Sequence, residues 1–379
     1  MDSVDPTQKL GNIERSPQII EVVYAGGTIS SMVSPESYRE GGHAQDLMEL
    51  LHKHNPELDL NIELSDKRYA YTGLSENLTY EDQREIAGSV AEGLAKKSDG
   101  VLVSHGTDSL EQTALLLQEE FDKDLKQSRK KVIITVANHD LDHPETDAWD
   151  NLQFALESFS AELPGGVYVA FHGKLIPADE VVKMPYNYHG FATFTSVYDP
   201  EYATAQERQK AVDTAQITAL HEKMGSRPAS GEAMLYDVNV IRPNHQALLD
   251  YVATHNVKAI LLNLYHSGSA NVVTPGQSIV ELVQRLREEK GIVFFGVTEN
   301  GEPTDLHAYE TSVKLREAGV VPLYNMSRAV AEAKLKLVAD EDPDMMVVGM
   351  LKDRVGEIDE VQIIEDDAVA LIELYGQPI

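Results

Sequence analysis

The chain has 379 residues, more than one ordinary core supports, and at roughly 100–200 residues per domain it predicts two α/β units. Sixty-two acidic against 32 basic residues give a formal charge of −30, which repels phosphate backbones and anionic lipid surfaces and so excludes nucleic acid and membranes as partners. The absence of cysteine excludes disulfides, thiolate metal sites and thiol nucleophiles together.

The first eighteen residues carry acids and proline where a signal peptide needs a basic start and an apolar run. No window reaches the roughly 18 uninterrupted apolar residues of a spanning helix, so a cytoplasmic protein is expected. From Ile19 onward, short β-branched runs alternate with helical patterns, which predicts parallel strands joined by crossover helices in a doubly wound, mainly parallel sheet. The first strand, Ile19–Tyr24, runs into Ala25-Gly26-Gly27-Thr28, where two glycines permit close backbone approach at the strand's carboxyl end. Ser30–Gly42 is poor in apolar residues and reads as a mobile loop able to act as a lid, followed by a helix near Ala44–His52.

Thr79 with Asp82 has the form of a capping box, and Ile86, Val90 and Leu94 then repeat at helical spacing up to Lys97. Strand Val101–Val103 leads into the turn Ser104–Asp108. Helix Leu110–Phe121, strand Lys131–Val136, helix Asp147–Phe159 and strand Val167–Phe171 continue the pattern. Tyr198–His245 loses the rhythm, which predicts an interdomain segment over 201–245 between an N-terminal catalytic domain, 17–200, and a smaller C-terminal parallel α/β domain, 246–379. In the latter the rhythm resumes with strand Lys258–Leu264, helix Pro275–Glu289, strand Ile292–Val297 and a helix after Ser327.

Two hydroxyl-bearing turns, Gly26-Gly27-Thr28 and Gly106-Thr107-Asp108, each stand directly after a predicted strand. Strand ends of one sheet can converge on one pocket. A threonine hydroxyl attacks a carbonyl only with a neighbouring base and donors for the developing oxyanion, and amides of the glycine turn can supply those donors. On propensity alone the plain reading of each turn, a strand-to-helix connection with an N-capping hydroxyl, is the favoured one. His139 and His143 flank Asp140 and Asp142 at a spacing that could bind zinc on a helix, but Pro144 and the loop composition predict a polar loop and no metal.

AGGTIS at Ala25–Ser30 and HGTDSLEQTA at His105–Ala114 together resemble the two signatures of bacterial-type L-asparaginases, closest to the cytoplasmic type I group. The likeness runs from about Val22 to about Val355. It includes Thr146-Asp147, Asn151-Leu152, Val182-Lys183 with Gly190-Phe191 and Phe194, LYHSGSAN at Leu264–Asn271 and EAGVVP at Glu317–Pro322. The resemblance implies hydrolysis of L-asparagine to L-aspartate and ammonia through an acyl-enzyme, without a cofactor. It implies Thr28 as nucleophile with Tyr38 beside it, and a second constellation of Thr107, Asp108 and Lys183. Gly27, Ser75, Glu76 and Gly106 fall on the substrate-binding side. Asn271 is implied to come from a neighbouring subunit of a homodimer or homotetramer.

These roles suit the residue types. Lys183 beside Asp108 can pass protons if its surroundings lower the ammonium pKa, Asp108 and Glu76 can both hold an α-ammonium, and Ser75 can hold an α-carboxylate. The sequence departs from the family in the turn Thr135–Asp147, in carrying Glu76 where relatives have Asp or Gln, and in offering no secure match around Glu302–Glu310 for a partner-donated acid. Two further readings stand beside the first. One is the amidase partner of a tRNA-dependent amidotransferase, which normally carries an extra N-terminal domain where this chain has about eighteen residues before its first strand. The other is a non-catalytic amino-acid sensor, which needs neither two such threonines nor a lysine relay.

Overall fold

The computed structural model describes residues 17–33, 39–40, 53–55, 62–141, 143–184, 193–225, 233–237, 244–298, 306, 309–323, 326–358, 370 and 372–376. Tyr38, the helix expected near Ala44–His52 and Gly190-Phe191 lie outside these residues.

The architecture is α/β with two separate sheets. Strands β1 (Gln18–Ala25), β4 (Ile62–Tyr71), β5 (Gly100–His105), β6 (Lys131–Thr135), β7 (Gly166–Phe171) and β8 (Lys174–Pro177) form the first, in the order β4-β1-β5-β6-β7-β8. All neighbours are parallel except β7 and β8. Every residue of β5, β6 and β7 is buried, as a sheet covered by helices on both faces requires. Val23, Val103, Ile134 and Val169 pack on one face with Ile86, Leu117 and Phe121 of the crossover helices. Ile20, Val22, Leu102 and Ile133 pack on the other with Leu152 and Leu156.

The capping box at Thr79 is present, with Asp82 N donating to the threonine hydroxyl and the Asp82 carboxylate accepting from Thr79 N at 2.8 Å, and it opens helix Tyr80–Ala95. The helix after the second turn runs through to Ser128, beyond the expected Phe121, because Leu125 extends the buried stripe of Leu117 and Phe121 by one more turn. In the stretch read as a loop, β2 (Met32–Val33) and β3 (Arg39–Glu40) pair antiparallel. β4 was not foreseen. It is an edge strand with exposed and charged positions among its ten residues, so its composition does not mark it as sheet.

Lys174–Pro177 is followed by a second small antiparallel pair, β9 (Val181–Lys183) with β10 (Phe194–Ser196). The segment without a visible rhythm then carries a 25-residue helix, Pro200–Met224, capped by the Asp199 side chain on Glu201 N. Only Leu220 of this helix is buried, so it has no apolar stripe for a periodicity to reveal. Strands β11 (Ala233–Asp237), β12 (Ala259–Leu264), β13 (Val293–Thr298) and β14 (Val320–Pro322) form an all-parallel sheet in that order. Leu220 joins the core on one face of this second sheet, with Phe295, Val330 and Met350. Helix Ile279–Lys290 covers the other face.

Candidate active site

The chain leaves β1 for β4 on one side and then crosses to β5 on the other, so the order reverses between β1 and β5. Ligands of open α/β sheets bind in the crevice beyond the carboxyl ends of strands at such a reversal. Ala25 pairs with His105 in register, so the turns carrying Thr28 and Thr107 emerge side by side.

These turns touch through backbone. A Cβ on Gly27, which has φ 83°, would lie 2.2 Å from Gly106 Cα, and a Cβ on Gly106 would lie 2.4 Å from Ser75 Oγ. Only glycine lets the three turns interlock at this distance. Gly27 N donates to Gly73 O at 3.0 Å. The expectation that the glycine turn's amides serve an oxyanion is therefore corrected for Gly27, whose N–H is already engaged in fixing the turn.

Thr28 is buried and opens a 3-10 turn, Thr28–Ser30. Ser31 closes it by donating its amide and its hydroxyl to Thr28 O at 3.0 and 2.9 Å. His105, fully buried at the end of β5, has Nδ1 at 2.8 Å from Gly106 O. A carbonyl only accepts, so Nδ1 carries the hydrogen. Burial pulls the imidazole down to about 4, so the ring is neutral and clamps the turn.

Asp108 is the centre of the network. Its amide donates to Ser75 Oγ at 3.2 Å, while Ser109 Oγ donates to Ser75 O at 2.8 Å. Lys183 Nζ, delivered by β9, donates to Asp108 Oδ1 at 3.0 Å and to Thr107 O at 3.2 Å, and lies 5.7 Å from the centre of the Phe194 ring. The Lys183 backbone is fixed in turn by its amide donating to Glu111 Oε1 at 2.6 Å. Two hydroxyls of the second domain reach the other carboxylate oxygen, Ser267 at 2.5 Å and Ser269 at 3.0 Å. Burial pushes Asp108 up, but the Lys183 ammonium and the Ser267 hydroxyl outweigh it and hold the carboxyl below its usual range.

Glu76 sits next to this site in the 3-10 turn Ser75–Asn77, buried, with Thr311 Oγ1 donating to Oε1 at 2.6 Å. Burial first, and then the Asp108 charge, push it up to about 8. Near neutral pH the pair is thus one neutral acid and one carboxylate, an arrangement that adjacent buried acids adopt because both cannot ionise cheaply.

Gly27, Ser75, Glu76, Gly106, Thr107, Asp108 and Lys183 are all in one connected network, with Thr28 on the turn that Gly27 opens. Asn271 stands beside the Ser75–Asn77 turn, Nδ2 donating to Asn77 O at 3.1 Å while Val272 N donates to Asn77 Oδ1 at 3.0 Å. The turn after β12 is held at the chain's own first domain by these bonds and by those to Asp108. Thr311, Asn77 and Glu111 were missed as site residues by sequence reasoning, although Glu111 lies inside the HGTDSLEQTA stretch that carries the resemblance. In the atypical turn, His139 and His143 stack with ring centres 3.9 Å apart, and Asp147 accepts from the amides of Asn138 and His139 at 2.9 and 3.1 Å. Among the described residues no group of three or more His, Cys, Asp or Glu could hold a metal ion, and no helix is long and apolar enough to cross a membrane.

The family described as "Asparaginase, N-terminal" matches residues 19–218. A glutamyl-tRNA(Gln) amidotransferase subunit of Methanobrevibacter smithii is 26% identical over 359 residues, covering 91% of this chain and 78% of that protein. An L-asparaginase of Thermococcus kodakarensis is 26% identical over 348 residues, covering 89% of this chain and 98% of that protein. The solved structure described as the thermostable L-asparaginase from Thermococcus kodakarensis aligns with a TM-score of 0.37 at 20% identity, covering 90% of this chain and 99% of that one.

Proposed function

Since the chain belongs to the asparaginase family, we propose that it is an L-asparaginase that hydrolyses L-asparagine to L-aspartate and ammonia. The observation that carries this reading is the Lys183–Asp108–Thr107 arrangement beside the turn of Thr28 at a sheet's reversal point. In this reading Thr28 Oγ1 attacks the side-chain amide carbon, its proton passes by way of the Thr107 hydroxyl to the amide nitrogen, and ammonia leaves as the C–N bond breaks, with the Lys183 ammonium and Asp108 holding the relay in place. Water then attacks the acyl-enzyme along the same route in reverse. Tyr38 assists the nucleophile. Asp108 and Glu76 hold the α-ammonium, and Ser75 holds the α-carboxylate together with the backbone around Gly27 and Gly106. No cofactor enters the reaction.

A homodimer or homotetramer in the cytoplasm is the proposed state, and sedimentation at assay concentration tests the assembly. The relative named as an amidotransferase subunit supports a second reading, in which ammonia is released for a partner protein and from glutamine. Ammonia release from asparagine and from glutamine by the chain alone separates the two. Turnover of asparagine without added partner, abolished in Thr28→Ala while asparagine still binds, is the expected result. Thr28→Ala protein that turns over near the wild-type rate refutes the nucleophile assignment.

A further inference from the structure

Glu76 and Asp108 come from the first domain, yet the hydroxyls that line them come from the second. Thr311 Oγ1 donates to Glu76 Oε1 at 2.6 Å, and the Ser269 side chain bonds to Glu76 as well as to Asp108 Oδ2. Ser269 also lies 2.8 Å from Ser267, which itself donates to Asp108.

The charges around Glu76 come from every element at the site. Its own turn is approached by the Tyr71 phenol, which burial, then Glu76 and Asp82, push up so that it stays neutral. The β5 turn brings Asp108, β9 brings Lys183, and the second domain brings His266 beside Asp108 and Glu310, which is paired with Lys314. Lys183 is turned to Asp108 Oδ1, so among the described residues it does not pair with Glu76, and an arriving ligand can bring the cation that favours its ionisation.

We propose that Ser269 and Thr311 of the second domain are positioning residues for Glu76, keeping the buried carboxyl able to release its proton when a cationic amino group arrives, so that substrate capture and proton release are one event. This rests on the asparaginase reading. Burial and Asp108 favour the protonated acid, while the two hydroxyls favour the carboxylate. Their balance sets the proton's departure close to neutral pH, where the incoming ammonium can displace it.

The first test is kcat/KM for asparagine against pH. In Thr311→Val the acid limb moves up by about one pH unit, the scale of one charge-assisted hydrogen bond, and Thr311→Ser restores it. The second leaves the hydroxyls in place. Thr28→Ala protein is titrated calorimetrically with L-asparagine at pH 6.5 in buffers of different ionisation enthalpy, and binding releases about one proton. An acid limb unmoved in Thr311→Val, or moved equally in Thr311→Ser, overturns the proposal, as does binding without proton release. Asparagine hydrolysis by the wild type with capture independent of pH from 6 to 8 refutes this inference alone. Wild-type protein that neither binds nor hydrolyses asparagine refutes the asparaginase reading and the inference with it.

Discussion

Gly27→Ala isolates what the contact between the two turns contributes. The added Cβ would stand 2.2 Å from both Cα and N of Gly106 and 2.6 Å from the His105 carbonyl carbon, where ordinary contact begins at 3.4 Å. All three are backbone atoms, so relief requires the turns to part by roughly 1 Å, a displacement that can lower turnover about 100-fold when it moves reacting groups. The residue also sits at φ 83°, ψ 179°, a region essentially reserved for glycine, which adds about 1–3 kcal/mol of strain on its own. At about 2–4 °C per kcal/mol, the melting temperature falls by about 5 °C from the strain alone. Gly225→Ala is the matched control, with φ 85°, ψ 150° and no atom within 4 Å of the added Cβ. It shares the strain without parting any turn. The assay is therefore kcat/KM for asparagine with melting temperature, on both variants. Loss of stability in both with loss of kcat/KM only in Gly27→Ala is the expected result. Equal kcat/KM in the two variants refutes the reasoning.

Glu76→Gln changes stability in a pH-dependent way. A carboxyl raised to about 8 in the fold stabilises below its usual 4.5 and loses that contribution as pH rises through 8, so the wild type's melting temperature declines over this window and the Gln variant's declines less. Parallel melting curves against pH would refute the assignment of a buried proton. Lys334→Met breaks a fully buried pair in the second domain, where Nζ lies 2.7 Å from Glu357 Oε1, and costs about 3–5 kcal/mol by denaturant unfolding. Burial pushes Glu357 up, but the Lys334 ammonium and the amides of Arg354 and Val355, which donate to its carboxylate, hold it at about 2. The wild type's advantage over this variant is present above 4.5 and shrinks as pH falls toward 2, and a constant difference across that range would contradict the pairing.

Strands β1, β5, β6, β7, β12 and β13 were legible because each is a short, mainly apolar run in the interior of its sheet, and the turns after β1 and β5 because glycine stands where backbones meet, whereas β4, β11 and β14 were not. Thr79 announced its helix through capping chemistry that acts over three residues. What stayed hidden acts over long separations or without a stripe. Helix Pro200–Met224 is exposed along most of its length, so it has no apolar period. Ser267, Ser269 and Asn271 were visible as a small polar turn, but their targets, Asp108 and Asn77, lie in the other domain. Thr311 was invisible, since one hydroxyl in the first turn of a helix differs from a solvated one only through what it meets in three dimensions.

The bonds that complete the two acids join residues 159, 161 and 235 positions apart. On a chain emerging from the ribosome, the first sheet can form as soon as β8 is out, because domains fold as units from the N-terminus. At that moment Glu76 and Asp108 are already neighbours, but the hydroxyls that line them have not been synthesised. Until Thr311 has cleared the exit tunnel, the nascent protein holds an unfinished acid pair open to water. A chain truncated before Thr311 therefore lacks a hydroxyl that lines Glu76, and the acid pair is completed only with the second sheet.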